Sequence, residues 1–330
     1  MDRSTSLAAE ACAPAPQHLV TWTEEHCRQY GFEPFWARHE LHKLPLFSDE
    51  AIIALLDDYP REKLQIFTMG DDPEDRSKWQ PVDTRDASGD DIMRSVAVGK
   101  LWVKLMRTDL VSNEYAELVR DVYDAIESQQ PAFNGLWYRP LLLISSPGAL
   151  VYYHADPQNM MLWQIRGSKR VWVYPTGRPF LEPAMMEEIF SGDADEEIPY
   201  EPSFDEAAFV HDLHPGEVLS WPLNAPHRVT NLDSVNISMS VTVGTDHADR
   251  RSQVYLANLL MRRRLGLRNL SARENGLVPF AKRTSFRIAR KLGLAAMMTQ
   301  RKPYLATLRI NPDSPNGVSP IPGGPIQTLF

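Results

Sequence analysis

Cysteine is scarce: Cys12 and Cys27, both near the start, are the two in a 330-residue chain. That count excludes a disulfide framework and a cysteine-rich zinc site, and it suits a reducing cytoplasm. Long apolar runs are missing as well. None approaches the roughly 18 residues a membrane helix needs, so no membrane role is expected. The opening MDRSTSLAAEACAPAPQ lacks a basic stretch followed by an apolar core, so it does not read as a secretory signal. Residues 1–18 read instead as a disordered tail. What remains is ordinary for a globular protein: 43% apolar and 24% charged residues, enough for one large domain with appendages.

Charge is unevenly spread. Of the net −8, the segment from Met261 to Lys302 carries twelve basic residues against one acid, Glu274. That segment therefore holds about +11 while the rest of the chain holds about −19. Nucleic acid could bind such a stretch. Docking on the acidic body of the same chain or of a twin subunit is favoured, because leucines, Phe280, Phe286 and Ile288 interleave with the charges as in packed helices.

The chain divides by texture. Residues 19–134 read as mixed and largely helical: DEAIIALLDDYP is a helix that Asp49 can cap, PEDRSKWQPVDTRDASGDD a loop, and KLWVKLM a strand. In SNEYAELVRDVYDAIESQ, Tyr115, Leu118, Val119, Val122, Tyr123 and Ile126 recur at helical spacing. From 135 to 245 the pattern becomes short runs rich in β-branched and aromatic residues, separated by turns. That predicts a mostly antiparallel sandwich or barrel. Residues 246–310 read as a basic helical segment, and 311–330 as an irregular Pro/Gly-rich tail.

Within the β-rich part, VYYHADPQNMMLWQIRGSKRVWVYP places His154 and Asp156 one residue apart in an apolar stretch. A buried charge there needs hydrogen bonds or a cation. An H-x-D match alone is weak, and the chain contains a decoy, His247-Ala-Asp249, in a polar turn where Asp249 suits a helix cap. His154 and Asp156 differ in context. Residues i and i+2 of a strand point to the same side, so both can aim at one point. A third ligand comes from LHPGEVLSWPLNAPHRVTNL, where a tight PLNAP connection delivers His227 to the rim of a strand. His211 and His214 are its rivals and rank below it. Two histidines and one carboxylate on one face leave open positions of the kind that non-heme Fe(II) oxygenases use. Lys169 opens the next strand, sharing a face with Val171 and Val173, where it can meet an incoming carboxylate. Trp102, Trp163 and Trp221 are candidate pocket walls.

The ordered set H-A-D, QIRGSKRVWVYP and PGEVLSWPLNAPH resembles the JmjC/cupin-like family of Fe(II)- and 2-oxoglutarate-dependent oxygenases. The likeness is strongest to the hydroxylase branch that includes the asparaginyl hydroxylase acting on hypoxia-inducible factor, and it covers about residues 135–245. It implies a double-stranded β-helix (jelly-roll) with helical segments at both ends. It also implies His154, Asp156 and His227 as iron ligands and Lys169 on the 5-carboxylate of 2-oxoglutarate, with O2 as oxidant. Departures fall around the cosubstrate. Where the family often has a hydroxyl three residues before the first histidine, this chain has Val151, and Tyr152 is expected to substitute. The family's asparagine position is Met160 here, with Asn159 its neighbour, and a polar residue on the last core strand falls at Ser240, with Ser238 as fallback. The expected reaction is hydroxylation of a protein, peptide or small-molecule substrate. A homodimer through the C-terminal helices follows from some relatives. The alternatives are a non-catalytic cupin-like binding protein and a metal cupin enzyme that needs no 2-oxo acid.

Overall fold

The computed structural model describes residues 19–130, 133, 135–192, 198–293 and 304–330. The 1–18 tail lies outside them. Two sheets face each other. The larger has eleven strands, ordered Val20–Thr21, Phe35–His39, Glu217–Ser220, Asn159–Arg166, Asn236–Thr245, Gly135–Ser145, Leu101–Met106, Leu64–Thr68, Gln80–Asp83, Leu308–Ile310 and Val318–Pro320. The smaller has four, ordered Phe209–Leu213, Lys169–Val173, His227–Asn231 and Leu150–His154. Among the described residues, every pairing is antiparallel except that of Leu308–Ile310 with Gln80–Asp83. This is a jelly-roll core with flanking helices.

Strand alternation sorts the large sheet into two faces. On the outer face Leu101, Val103, Leu105, Leu142, Ile144, Met161, Trp163, Met239 and Val241 join the main core, together with Tyr115, Val119, Val122 and Ile126 of the helix Asn113–Gln129. On the inner face Met160, Leu162 and Leu219 meet Val171, Val173 and Val229 of the small sheet. The small sheet's outer side buries Tyr153 and Tyr174 beneath the helix Pro183–Ser191, and Tyr255 of the long helix Asp246–Leu265 joins that cluster. The central strands of each sheet are thus covered on both sides, with space left between the sheets.

Several local expectations need correction. Ser48, not Asp49, caps the helix Asp49–Asp58 by accepting from the Ala51 N–H at 3.2 Å. Thr245 likewise caps Asp246–Leu265, which leaves Asp249 in the first turn where its charge suits the helix dipole. The expected loop after Pro73 contains the strand Gln80–Asp83. Leu308–Ile310, at the end of the segment expected to be helical, pairs with it, and Val318–Pro320 of the Pro/Gly-rich tail pairs with Leu308–Ile310 in turn. Pro320 is tolerated there because its strand lies at the sheet edge, where no ladder N–H is required.

Candidate metal centre

His154 ends the strand Leu150–His154 and His227 begins the strand His227–Asn231; the two residues pair directly across the ladder. Their rings lie 4.1 Å apart between centroids. Asp156 follows two residues later, and one of its carboxylate oxygens stands 3.4 Å from His227 Nε2. One ligand-type atom from each of the three falls within 4.8 Å of the others. All three residues line a cavity of about 180 Å3 between the sheets.

Hydrogen bonding sets the tautomers. His154 Nδ1 is 2.7 Å from the Tyr152 carbonyl, and His227 Nδ1 is 3.1 Å from the Ala225 carbonyl. A carbonyl can only accept, so each Nδ1 carries a proton, and Nε2 is the nitrogen left on each ring to bind a metal. Burial, reinforced by the neighbouring His154, holds His227 neutral by pushing its pKa well below the usual histidine value. Two imidazole lone pairs and a carboxylate oxygen aimed at one region repel each other. A cation between them turns that repulsion into coordination, so the donor set fits a first-row divalent ion.

Lys169 lies at the other end of the cavity. Its strand alternates as expected, with Lys169, Val171 and Val173 buried and Arg170 exposed. Among the described residues the Lys169 ammonium has no hydrogen-bond or ion-pair partner, and it is 4% exposed. Burial alone lowers its pKa to about 7. Across the ladder Asn231 donates to Ser145 Oγ at 2.7 Å, which ties the small sheet to the large one at this end.

The remaining candidates divide. Ser240 lines the cavity, as do Trp102 and Trp221, and the Trp221 ring stands 4.4 Å from that of His227. Trp163 is fully buried in the main core on the opposite face of its strand. Ser238 donates to Gln164 Oε1 in a buried network. Two expectations fail. Tyr152 points out of the cavity, with its hydroxyl donating to the Asp75 carbonyl at 2.8 Å. The cause is a register shift: His227 pairs with His154, but Val229 pairs with Val151, so three steps on one strand oppose two on the other. The extra residue brings Val151 and His154 to the same side, and both line the cavity. Asn159 turns to Thr245 Oγ1 at 3.1 Å, while Met160, on the inward pleat, lines the cavity. The rivals His211 and His214 gather instead around Glu217, with His211 Nε2 3.1 Å from its carboxylate and the His214 N–H donating to it.

Sequence reasoning missed Lys104, Gln158 and Asn224. Lys104 lines the cavity with its ammonium over the Trp102 ring at 4.6 Å. Gln158 presents a buried Oε1 with no partner among the described residues. Asn224 donates to the Asp156 carbonyl at 2.7 Å. Inward alternation in KLWVKLM could have flagged Lys104. Nothing in the sequence marks the other two, whose roles depend on loop geometry.

Two facing sheets with a histidine–aspartate–histidine cluster between them define a cupin-type fold with a candidate metal site. Residues 74–241 match the cupin-like domain family, and the chain belongs to that family. No curated protein sequence matches it. Among solved structures it is similar to Escherichia coli YcfD, with 17% identity and a TM-score of 0.50, over 84% of this chain and 69% of that one. A second structure of that protein, described as a ribosomal oxygenase in complex with cobalt and 2-oxoglutarate, aligns at 15% identity with a TM-score of 0.49, over 84% and 68% of the two chains. No helix among the described residues is long and apolar enough to cross a membrane.

Proposed function

We propose that this protein is an Fe(II)- and 2-oxoglutarate-dependent oxygenase that hydroxylates a C–H bond, as the hydroxylases it resembles do. One observation carries the reading: a buried lysine without a partner among the described residues shares a cavity with two histidines and a carboxylate. The cluster accounts for a metal. The lysine additionally calls for an anion that reaches past it, and a 2-oxo diacid has a chelating end and a distal carboxylate. A metal cupin working without such an acid leaves Lys169 unexplained.

In this reading His154, Asp156 and His227 hold the ion, with each imidazole fixed by its Nδ1–H bond to backbone. A bound ferrous ion supplies the redox chemistry, in which O2 and 2-oxoglutarate become succinate, CO2 and one oxygen atom delivered to the substrate C–H. The protein supplies orientation and dryness. Lys169 protonates when the distal carboxylate enters and pairs with it, and Asn231 with Ser145 closes the floor beside it. Trp221 packs against His227, and apolar Val151, Leu162 and Val229 exclude water between the two polar ends. Lys104 and Gln158 remain as polar groups that the substrate can meet. We place this activity in the cytoplasm.

The test is succinate formation by purified protein with Fe(II), 2-oxoglutarate and O2. Slow turnover is expected without added substrate, and His154→Ala should abolish it. Anaerobic Fe(II) protein should gain a visible metal-to-ligand band on adding 2-oxoglutarate. Succinate formation unchanged in His154→Ala, or no band, would count against the proposal.

A further inference from the structure

The Asp156 loop is tied to the C-terminal helices through one side chain. Asn224 is 2% exposed and sits in the left-handed region at φ 62°. Its Nδ2 donates to the Asp156 carbonyl at 2.7 Å, and its Oδ1 accepts from Arg251 Nε at 2.7 Å. Arg251, on the helix Asp246–Leu265, also pairs with Glu274 and donates to the Tyr255 hydroxyl at 3.2 Å. Glu274 in turn bonds His247 Nε2 at 2.7 Å. The residue after Asn224 is Ala225, whose carbonyl holds the His227 ring. The Asn224–Ala225 dipeptide therefore grips the backbone of one cluster member and the imidazole of another.

We propose that Asn224 and Arg251 are positioning residues of the metal centre: the C-terminal helix, acting through Arg251, fixes where the Asp156 carboxylate stands relative to His227. This rests on reading the His154–Asp156–His227 cluster as a metal site. The chemistry favours asparagine at this position. It offers a donor and an acceptor on one short planar group, and among non-glycine residues it tolerates left-handed backbone well. Aspartate keeps the acceptor for Arg251 but has no N–H for the Asp156 carbonyl. Glycine keeps the backbone conformation and loses both bonds. Partners that orient metal ligands in this way are commonly worth about 10–100-fold in metal affinity.

The experiment titrates Co(II) into full-length metal-free protein, following affinity and the visible Co(II) spectrum, with thermal unfolding of the metal-free form recorded alongside. Asn224→Gly and Asn224→Asp should each weaken Co(II) binding by about 10–100-fold and shift the spectrum. Arg251→Met should weaken it by a smaller factor, and Arg251→Lys should recover part of that loss. Wild-type affinity and spectrum in both Asn224 variants would overturn the proposal, whatever happened to their unfolding temperatures. If either Asn224 variant failed to fold, equal Co(II) affinity in wild type, Arg251→Lys and Arg251→Met would overturn it instead. A wild-type chain that bound no Co(II) would remove the metal reading itself. Failure of the variants alone would leave that reading intact.

Discussion

Lys169 sets the sharpest expectation at the residue scale. Its place on the inward pleat of KRVWVYP was legible, because Lys169, Val171 and Val173 alternate with Arg170 and Trp172. Its isolation was not, since a sequence cannot show which side chains fail to arrive. Burial lowers its pKa from 10.5 to about 7, so the fold favours the neutral amine. The penalty for keeping it charged is fully present below pH 7 and fades as pH rises from 7 towards 10.5. Lys169→Met should therefore raise the unfolding temperature of the ligand-free protein, most clearly below pH 7, while weakening 2-oxoglutarate binding by about 10–100-fold, as expected for losing a charge-assisted bond. In the wild type, binding should take up a proton and weaken as pH rises above about 7. Calorimetry in buffers of different ionisation enthalpy measures that uptake. No proton uptake, together with unchanged affinity in Lys169→Met, would remove the lysine from the site.

The strand Leu150–His154 shows why motifs translate into geometry only up to the first irregularity. Strand periodicity singled out His154 and Asp156, and the two do come within 4.8 Å of each other and of His227. Asp156 lies beyond the strand end, however, so the chain after His154 and not the pleat places it. The same periodicity, carried back from His154, put Tyr152 in the cavity, and there the shift reverses it. Bulges leave no mark in an alternating apolar run, whereas the helix Asn113–Gln129 was readable because its six buried positions repeat without interruption. Two substitutions separate the faces. Tyr152→Phe should leave 2-oxoglutarate affinity unchanged, since its hydroxyl serves the Asp75 carbonyl. Val151→Thr places a hydroxyl in the cavity and should tighten binding by about 2–10-fold, the range of one net hydrogen bond. Titrating 2-oxoglutarate into both variants decides between them. A larger effect from Tyr152→Phe would mean that the strand face has been misassigned.

At the scale of the whole molecule, an ion pair joins the described part of the basic C-terminal segment to the body. The charge asymmetry was visible in the sequence, and so was its interleaving with leucines, but the pairing of particular charges was not. Glu187, 1% exposed on the helix Pro183–Ser191, meets Arg262 through Nε at 2.9 Å and a second nitrogen at 3.1 Å. A buried carboxylate with its cation removed is costly, up to about 3–5 kcal/mol where both partners are buried. The Arg262 side chain is one-third exposed, so water recovers part of that. Arg262→Met should destabilise the protein by about 2 kcal/mol. Glu187→Gln should cost less, because it leaves no unpaired charge inside. Half-molar salt should do little to the wild type, since screening acts weakly on a bidentate pair with one partner enclosed. Urea unfolding of the three proteins at low and high salt tests this ordering. Equal stability of wild type and Arg262→Met would mean that helix packing alone, without the ion pair, carries the C-terminal segment on the body.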